Sequence, residues 1–592
     1  MDDAVQASDV ATRVPVGWLD RDAGVRFGGG RAIRIIVSML IPLAILLVSY
    51  LVQTPRYALA DDYIQDLFVS GRFLGEGSAL MPYTLAPVSI PLSLLYALFP
   101  GAPWYAILLS ILIVVSFAVA YCALFSLRLP RVTWSFSLIF LLFCNVLVTW
   151  YLTYTIVAFV ATAAGLMLVI PRAAFGEPVG PRASDVAAVL LVAIGFSLRP
   201  ESGMATFIVF SPFVVWMLVK NRSASAILRA VVMVATIAAC YGIGQMAYLL
   251  TPGWEGYPAY LDAGRRVLDY PEATYEELAV VAPELSENDV AMMYDWNFSD
   301  TDIFNTELFE RMAPAVRAYD VSNLGLGNLS QTYLAFAGIV VVCAIAVVYA
   351  CSRAFDASGR ALLAAVAAMG VVDFLVVLLR DRPRLHVVIP MIAVSFFALL
   401  IAARAQREPR GVHARRPHHS SRPQHPALGN AAIIVFAIGC LAVAGAFNLR
   451  YVVPMQRQRT MSLEENISSY LAEHPNELCI FLGTQGGLMG SDAFSYASWE
   501  YPSNALFVAG WEARTAPWGD FMREWELEEG DLLQQLPQRG NMSAVMLESD
   551  VDTMLQYLRE HVDEGVQVEL VEDLGSGVIT STHTCVYRFS IG

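Results

Sequence analysis

The chain has 592 residues, of which 56% are hydrophobic and 15% are charged. This composition excludes an ordinary soluble protein, whose surface needs more charge, and it predicts a polytopic membrane protein. The net charge of −15 arises because acids gather in residues 254–310 and after residue 460, whereas bases lie in short loops between apolar runs. That distribution excludes a nucleic-acid surface, which needs basic residues clustered on a folded face.

Eleven apolar runs are long enough to cross a bilayer as helices. They occupy residues 33–53, 104–126, 133–150, 154–171, 185–198, 203–219, 228–250, 330–352, 361–379, 385–403 and 430–448. A twelfth run, residues 84–99, is short and contains two prolines. We expect this run to be re-entrant or to lie flat at the outer boundary, sheltered by the rest of the protein.

Basic residues favour one orientation of these runs. If Arg31 and Arg34 keep the N-terminus cytoplasmic and residues 84–99 do not cross, the short basic loops fall on the cytoplasmic side. This orientation predicts a cytoplasmic tail at 1–32, a transmembrane bundle at 33–403 with outer loops 54–103 and 251–329, a basic cytoplasmic linker at 404–429, a last span at 430–450 and an extracytoplasmic domain at 451–592. The composition of the linker predicts a solvated loop over anionic lipid headgroups rather than a metal site.

The C-terminal region changes character and predicts a small α/β domain. The predicted strands are ELCIFLG, ALFVAGW, NMSAVMLES, VQVELVEDL and THTCVYRFS, and the predicted helices are SLEENISSYLAEH and SDVDTMLQYLREHV. Cys479 and Cys585 also lie in this domain. Their spacing leaves open whether they are free thiols or, on an oxidising side of the membrane, a disulfide.

An acidic pair, Asp61 and Asp62, follows the first apolar run in the stretch ALADDYIQDLFVSGRF. Carboxylates at a membrane boundary are costly unless they are solvated, paired or functional. One of them is suited to act as a general base toward a hydroxyl nucleophile. The alternative is structural, because acids also stabilise the start of the helix that YIQDLFVSGRF predicts.

Two outward turns of the predicted topology carry basic residues that are suited to phosphate. Arg side chains bind phosphate bidentately and stay charged when partly desolvated, although some arginines at such positions serve only to anchor loops. The predicted phosphate contacts are Arg199, in SLRPESG, and Arg380, Arg382 and Arg384, in RDRPRLH. Glu201 and His386, which neighbour these arginines, are predicted to contact the substrate.

The long outer loop contains NDVAMMYDWNFSDTDIF, in which Tyr294, Asp295 and Trp296 combine aromatic faces with a carboxylate. This combination suits sugar rings, whose C–H faces are apolar and whose hydroxyls need acceptors. A divalent-cation loop is the alternative, but the spacing of the acids does not match an EF-hand. The sequence therefore identifies no metal ligands and leaves a requirement for a divalent metal open.

The chain as a whole resembles the GT-C superfamily of integral-membrane glycosyltransferases. The resemblance is carried by the DDY sequence, the segment ending in SGRF, the bundle of about eleven spans, the RDRPRLHVVIP element and the C-terminal α/β domain. The DDY and SGRF pattern is similar to that of bacterial glucosyltransferases acting on O-antigen and related surface polymers. The resemblance implies a polyprenyl-phosphate sugar donor, a cell-envelope glycan or lipid acceptor, and chemistry on the outer side of a bacterial cytoplasmic membrane. It also implies that Asp61 or Asp62 is the base and that Arg382 or Arg384 contacts the phosphate.

Two other classes of function remain open at this stage. A transporter or flippase for a lipid-linked or anionic solute would use the same arginines and would need polar groups inside its spans. Asp373, an acid within a predicted span, favours that class slightly, whereas the sequence shows no repeated halves. The other possibility is a non-catalytic envelope assembly protein whose tail binds partners.

Overall fold

The structure is a computed structural model of the chain, and it is mostly helical with a small C-terminal sheet. It describes residues 30–73, 77–175, 182–220, 222–270, 272–322, 329–351, 355–380, 383–405, 426–453, 461–483, 493–494, 502–508, 510–576 and 582–592. Arg382, most of the basic linker and most of the LGTQGGLMG segment lie outside these described residues.

Ten helices in the described part of the chain are long and apolar enough to span a membrane, which is consistent with a polytopic membrane protein. They are α1 (Arg31–Val52), α4 (Trp104–Ser126), α5 (Arg131–Trp150), α6 (Tyr154–Phe175), α8 (Pro200–Lys220), α9 (Ala224–Leu250), α14 (Leu329–Ala350), α15 (Ala357–Leu379), α16 (Leu385–Ala402) and α17 (Pro426–Phe447). Most of α6 and α16 is buried inside the bundle, whereas α1, α9 and α17 expose most of their apolar surface. Such exposed apolar faces are suited to contact with lipid.

The span predicted at residues 185–198 forms a helix that is shorter than the ten helices that could cross a membrane. It forms α7 (Ala183–Leu198), whose 16 residues extend about 24 Å at a rise of 1.5 Å per residue. Helix α7 nevertheless packs along α6. At one end of this contact Asp185, near the start of α7, forms an ion pair with Arg172, near the end of α6, with 2.7 Å between Oδ1 and Nη1. The expected eleven long spans are thus ten, together with this shorter helix packed beside α6.

Close packing of α7 on α6 depends on Gly195. A Cβ atom at this position would lie 2.7 Å from the amide nitrogen of Thr162 and 2.9 Å from the carbonyl oxygen of Ala158. We expect Gly195→Ala to lower the free energy of unfolding by about 1–3 kcal/mol, the usual cost of overpacking, measured by thermal unfolding of the purified protein in detergent. Gly242→Ala in α9 is the matched control, because a Cβ there meets nothing within 4 Å. Equal stability of both variants would contradict this packing.

The end of the bundle that carries α2 (Ala60–Ser70) is called the α2 end below. The Ala58 amide donates a 2.8 Å hydrogen bond to the carbonyl of Leu152, between α5 and α6. The Leu85 amide donates a 2.8 Å bond to the carbonyl of Ser197, near the end of α7. The Tyr248 hydroxyl, near the end of α9, donates a 2.7 Å bond to the carbonyl of Met81. Segments that are remote in sequence therefore meet at this one end.

The short run at residues 84–99 forms α3 (Ala86–Leu98), which is 13 residues long. The residue before α3, Leu85, bonds to the α7 terminus, and Tyr96 near the end of α3 donates a 2.6 Å hydrogen bond to Asp66 of α2. Both ends of α3 thus contact elements of the α2 end. That residues 84–99 do not cross a membrane stays a prediction.

Helix directions place the turn between α15 and α16 at the α2 end as well. The opposite end holds the start of α5 and the end of α14, because Ser137 and Tyr349 share a 2.6 Å hydrogen bond. It also holds the start of α15 and the end of α16, since a Cβ at Gly359 would lie 2.5 Å from the carbonyl oxygen of Ala405. Helix α15 therefore ends, and α16 begins, at the α2 end.

The long loop and the C-terminal region fold together over the α2 end. The loop contains α10 (Tyr257–Leu268), α11 (Tyr275–Leu278), α12 (Glu287–Tyr294) and α13 (Thr306–Ser322). The C-terminal region contains α18 (Met461–Glu473), β1 (Leu478–Leu482), β2 (Ala505–Val508), α19 (Ala516–Glu524), β3 (Met542–Leu547), α20 (Val551–His561), β4 (Val566–Ser576) and β5 (His583–Ile591).

The predicted strands and helices of the C-terminal region are confirmed. The strands form a mixed sheet of order β2-β1-β3-β5-β4, in which β1 runs parallel to β2 and β3, and β5 runs antiparallel to β3 and β4. Helix α19 was not anticipated from the sequence. Cys479 and Cys585 are buried free thiols on β1 and β5, so the disulfide alternative is not what the structure contains.

Candidate functional site

Helix α2 presents its two acids in its first turn rather than as side-chain caps. The N-cap residue is Leu59, which makes no side-chain capping bond, and Asp61 and Asp62 follow inside the helix. Acids in a first turn are stabilised by the helix dipole, so part of the structural alternative holds for both. The surroundings of the two carboxyl groups nevertheless differ.

Asp62 is fully buried and joins three elements. Its Oδ1 accepts a 2.7 Å hydrogen bond from the Tyr154 amide at the start of α6 and a 3.0 Å bond from the Tyr105 hydroxyl of α4. Burial raises the pKa of Asp62 to about 7, although these hydrogen bonds oppose the shift. Asp62 therefore connects α2 to α4 and α6 and is shielded from solvent.

Asp61 is half-buried and contacts a side chain instead of the backbone. Its Oδ2 accepts a 3.3 Å hydrogen bond from the Tyr154 hydroxyl. Burial raises the pKa of Asp61, while the positive charges of Arg199 and Arg265 act in the opposite direction. A partly accessible carboxylate with a raised pKa has the properties of a general base.

Arg199 reaches the same tyrosine from the turn between α7 and α8. Its Nη1 donates hydrogen bonds to the Tyr154 hydroxyl at 2.6 Å and to the Thr155 hydroxyl at 2.9 Å, and its guanidinium lies 5.3 Å from the centre of the Tyr154 ring. The Tyr154 hydroxyl thus accepts from Arg199 and donates to Asp61. One predicted acid and one predicted arginine are brought together through a residue that the sequence did not single out.

Glu201 connects Arg199 to a second arginine, Arg265 of α10. Its Oε1 lies 2.7 Å from Arg265 Nη1, and its Oε2 lies 3.9 Å from Arg199 Nε. The Arg265 guanidinium also lies 5.3 Å from the centre of the Tyr83 ring, which stacks on Tyr154. The Arg265 side chain is 21% exposed and that of Glu201 is 58% exposed, so this pair borders an accessible surface.

Arg265 was missed by the sequence analysis. The signal was the pair Arg265 and Arg266 within YPAYLDAGRRVL, an amphipathic stretch in a loop otherwise rich in acids. The structure separates their roles, because Arg266 is 57% exposed and pairs with Asp262 of its own helix. Sequence alone does not show which of two adjacent arginines faces a site.

The RDRPRLH arginines are placed apart from this group. Arg380 and Arg384 are exposed at the turn between α15 and α16. No hydrogen bond or ion pair within the described residues joins either of them to Asp61 or Glu201. His386 is half-buried in the first turn of α16. The turn shares the α2 end with the site, but the arginines whose charges act on Asp61 are Arg199 and Arg265.

The predicted sugar contacts of the long loop have structural neighbours. The Tyr294 hydroxyl accepts a 3.0 Å hydrogen bond from the Ala273 amide of the same loop, whereas the Trp296 ring lies 6.1 Å from that of Trp511 in the C-terminal region. Asp295 is exposed; partial burial of its carboxyl group raises its pKa, and the neighbouring acids Asp550 and Glu272 add to this shift. Trp296 thus contributes to an interface between the loop and the C-terminal region.

Asp300 fixes this interface. Its Oδ1 accepts a 2.7 Å hydrogen bond from the Leu533 amide, and its Oδ2 pairs with the Tyr557 hydroxyl at 2.7 Å. Burial raises the pKa of Asp300 to about 7. The loop acids thus include a structural member that composition could not distinguish from its neighbours.

One group of side chains has the composition of a metal site. Asp289, Glu560 and His561 each offer a ligand atom within 4.8 Å of one another, at the contact between α12 and α20. The 2.7 Å hydrogen bond between His561 Nε2 and Asp289 Oδ1 accounts for this arrangement without an ion. The group involves none of the residues around Asp61, so it does not supply a metal to that site.

Comparisons with protein-family models, with curated proteins and with solved structures give no match to this chain. A functional assignment must therefore come from the site itself. Its chemistry is that of a partly exposed carboxylate beside two arginines, at one end of an apolar helical bundle and beneath a folded loop. This combination suits an anionic substrate that also carries a hydroxyl group.

Proposed function

We propose that the protein is a membrane glycosyltransferase of GT-C-like architecture. It would move a sugar from a polyprenyl-phosphate donor to a hydroxyl of a cell-envelope glycan or lipid, on the extracytoplasmic face of a bacterial cytoplasmic membrane. The observation that carries the proposal is the convergence of Asp61 and Arg199 on the Tyr154 hydroxyl, with Arg265 joined to Arg199 through Glu201.

The residues of this group divide the proposed reaction between them. Asp61 accepts the proton of the acceptor hydroxyl as its oxygen attacks the anomeric carbon of the donor sugar. The bond between that carbon and the phosphate oxygen breaks, and the polyprenyl phosphate leaves with the electron pair. Arg199 and Arg265 neutralise the charge of the leaving phosphate, which removes the need for a separate general acid.

The distribution of basic residues supports an outward-facing α2 end. Positively charged loops favour the cytoplasmic side of a membrane. The opposite end carries more basic residues at helix termini, namely Arg131, Arg172, Lys220, Arg229, Arg360 and Arg404, than the α2 end, where Arg199, Arg380 and Arg384 occupy such positions. In this orientation the loop and the C-terminal domain would both lie outside the cell.

An apolar cavity between α6, α8 and α9 supports a lipid-linked donor. Its volume is about 460 Å³, and its lining includes Leu166, Phe210 and Met233. Leu166 follows Tyr154 by twelve residues along α6, so the cavity begins about 18 Å from the site toward the opposite end. Such a cavity suits part of a polyprenyl chain whose phosphate lies between Arg199 and Arg265.

The direct test is reconstitution of the purified protein in liposomes with a polyprenyl-phosphate hexose and cell-envelope acceptors. We expect release of polyprenyl phosphate together with a glycosylated acceptor, both measured by mass spectrometry. Donor without acceptor is the control, since it reports only hydrolysis. Absence of release with every hexose donor and acceptor tried would contradict the proposal.

A transporter is the second candidate, and Asp373 is the observation that favours it. This residue of α15 is 5% exposed, and its Oδ2 has no hydrogen-bond partner among the described residues. Buried acids inside spans are often part of transport pathways. Movement of labelled donor lipid between leaflets, lost in Asp373→Asn and unaccompanied by sugar release, would favour this function.

A further inference from the structure

The C-terminal domain packs directly against the helix that carries Arg265. The Tyr260 hydroxyl of α10 donates a 3.1 Å hydrogen bond to the Gly510 carbonyl. The Trp511 ring covers Gly264, where a Cβ atom would lie 3.0 Å from the ring. Gly264 precedes Arg265, so the segment from residue 510 onward reaches the candidate site.

A second contact fixes the same segment from the side of α2. The Phe521 ring of α19 stacks on Phe73, just beyond α2, with 5.3 Å between the ring centres. A Cβ at Gly253, just before α10, would also lie 2.9 Å from the Cβ of Ala516. The chain between Trp511 and Ala516 is thus held between α2 and α10.

Glu512 lies within this held segment. It is 5% exposed, and neither of its carboxyl oxygens has a hydrogen-bond partner from another residue among those described. Burial raises the pKa of Glu512 and of Tyr257; the charge of Asp61 adds to the first shift, and the charge of Glu512 adds to the second. The buried hydroxyl of Tyr257 also has no partner within the described residues.

Several buried hydroxyl groups of the described residues lack a partner, but Glu512 is the one buried carboxyl group among them whose two oxygens both lack one. A buried donor or acceptor without a partner destabilises the fold, so native structures rarely keep one without a functional reason. Glu512 lies in the segment whose neighbours Trp511 and Ala516 pack against α10 and the residues before it, and Tyr257 is the first residue of α10. This position connects their open hydrogen-bonding capacity with the candidate site.

We propose that Glu512 and Tyr257 form a subsite that hydrogen-bonds a hydroxyl group of a sugar ring next to Asp61. The C-terminal domain then contributes a residue that contacts substrate and does not serve only as a cover. The inference rests on the proposed function for whether the ring belongs to the donor or to the acceptor.

The chemistry of the pair fits a neutral polyol better than an anion. Burial, aided by repulsion from Asp61, raises the pKa of Glu512 to about 8, so its carboxyl group is largely protonated at neutral pH. A protonated carboxyl both donates and accepts a hydrogen bond, and so does a tyrosine hydroxyl. A sugar hydroxyl complements both, whereas a phosphate group is better matched by Arg199 and Arg265.

The melting temperature of Glu512→Leu distinguishes a role of Glu512 in substrate binding from a role in stabilising the fold. Replacing an unpartnered buried carboxyl by a hydrophobic group of similar size removes a source of instability. Glu512→Leu is therefore expected to raise the melting temperature of the protein without ligand or to leave it unchanged. A drop in the melting temperature of Glu512→Leu would assign Glu512 to the fold and would overturn the proposal.

The binding test uses the full chain in lipid nanodiscs and the methyl glycosides of glucose, galactose and mannose as probes. We expect at least one glycoside to raise the melting temperature of wild type and of Glu512→Gln, because glutamine keeps a donor and an acceptor. Glu512→Leu should weaken glycoside binding tenfold or more. Glu524→Leu is the matched control, since Glu524 is exposed on α19 of the same domain, and it should bind like wild type.

The remaining outcomes also decide the question. Glycosides that shift no variant, or that shift wild type and Glu512→Leu equally, would overturn the subsite and leave a carboxyl that meets only water. Donor turnover is measured separately. If Glu512→Leu loses glycoside binding and wild type shows no donor turnover, the subsite is supported and the proposed sugar transfer is contradicted.

Discussion

Asp61→Asn is expected to slow sugar transfer by about 10²–10⁴-fold, the usual contribution of a general base, with little change in stability. Asparagine keeps the shape of the side chain and can still accept a hydrogen bond from the Tyr154 hydroxyl, which lies 3.3 Å from Asp61 Oδ2. It cannot remove a proton from an acceptor hydroxyl. The measurement is the initial rate of polyprenyl phosphate release, at saturating donor, from liposomes containing equal amounts of folded protein.

The pH dependence of wild type gives an independent check on the same residue. Burial raises the pKa of Asp61, and only the ionised form can act as a base. Activity should therefore increase with pH through a pKa above the ordinary range of an aspartate. The residual activity of Asp61→Asn should lack this rise.

Asp62→Asn is the matched control for the base assignment. Asp62 accepts its hydrogen bonds from the Tyr154 amide and the Tyr105 hydroxyl, and asparagine retains one acceptor oxygen, so turnover should stay within a few-fold of wild type. The pKa of Asp62 is raised to about 7, so the native state holds a proton that the unfolded state has lost. Stability of wild type should thus fall as pH rises from about 4 to about 7, and Asp62→Asn should reduce that slope. Loss of turnover in Asp62→Asn but not in Asp61→Asn would exchange the two roles.

The sequence was sufficient for those parts of the molecule that have a strong local pattern. Ten of the eleven predicted spans form long apolar helices, and the five predicted strands form one sheet, because apolar runs of helix or strand length report burial directly. The topology also brought Asp61, Arg199 and Glu201 to one end, since each follows or precedes a helix terminus there. What was predicted of the site followed from that shared end.

Other features of the site depend on packing that no local pattern encodes. The RDRPRLH turn reaches the same end, but Arg380 and Arg384 are exposed there, and no hydrogen bond or ion pair among the described residues joins them to Asp61. Tyr154 begins a span and gave no polar signal, although its hydroxyl joins Arg199 to Asp61. Side chains in a long loop can be assigned to a site only when the face that each helix buries is known.

Arg265→Ala is expected to reduce the ratio kcat/KM for the donor by about 10²–10³-fold, comparable to the loss of one donor that stabilises transition-state charge. The phosphate is charged in the bound donor and gains charge as the sugar departs. Loss of Arg265 should therefore raise KM and also lower kcat. Arg265→Lys should recover only part of the activity, because an ammonium group cannot bind phosphate bidentately.

Folding should survive this change. The ion pair between Arg265 and Glu201 is partly solvated, since the Glu201 side chain is 58% exposed, and such pairs contribute about 1 kcal/mol or less. Arg266→Ala is the control, because it removes the same side chain from the next position of the same helix. Arg266 is 57% exposed and pairs with Asp262, so its removal should leave kcat/KM nearly unchanged.

The comparison with Arg384 makes the assignment of the phosphate site specific. The resemblance to GT-C enzymes implied a phosphate contact at Arg382 or Arg384, whereas the contacts around Asp61 point to Arg199 and Arg265. If Arg384→Ala lowers kcat/KM as strongly as Arg265→Ala does, the donor phosphate lies closer to the turn between α15 and α16. If Arg265→Ala alone has the large effect, α10 of the long loop closes over the donor and completes its binding site.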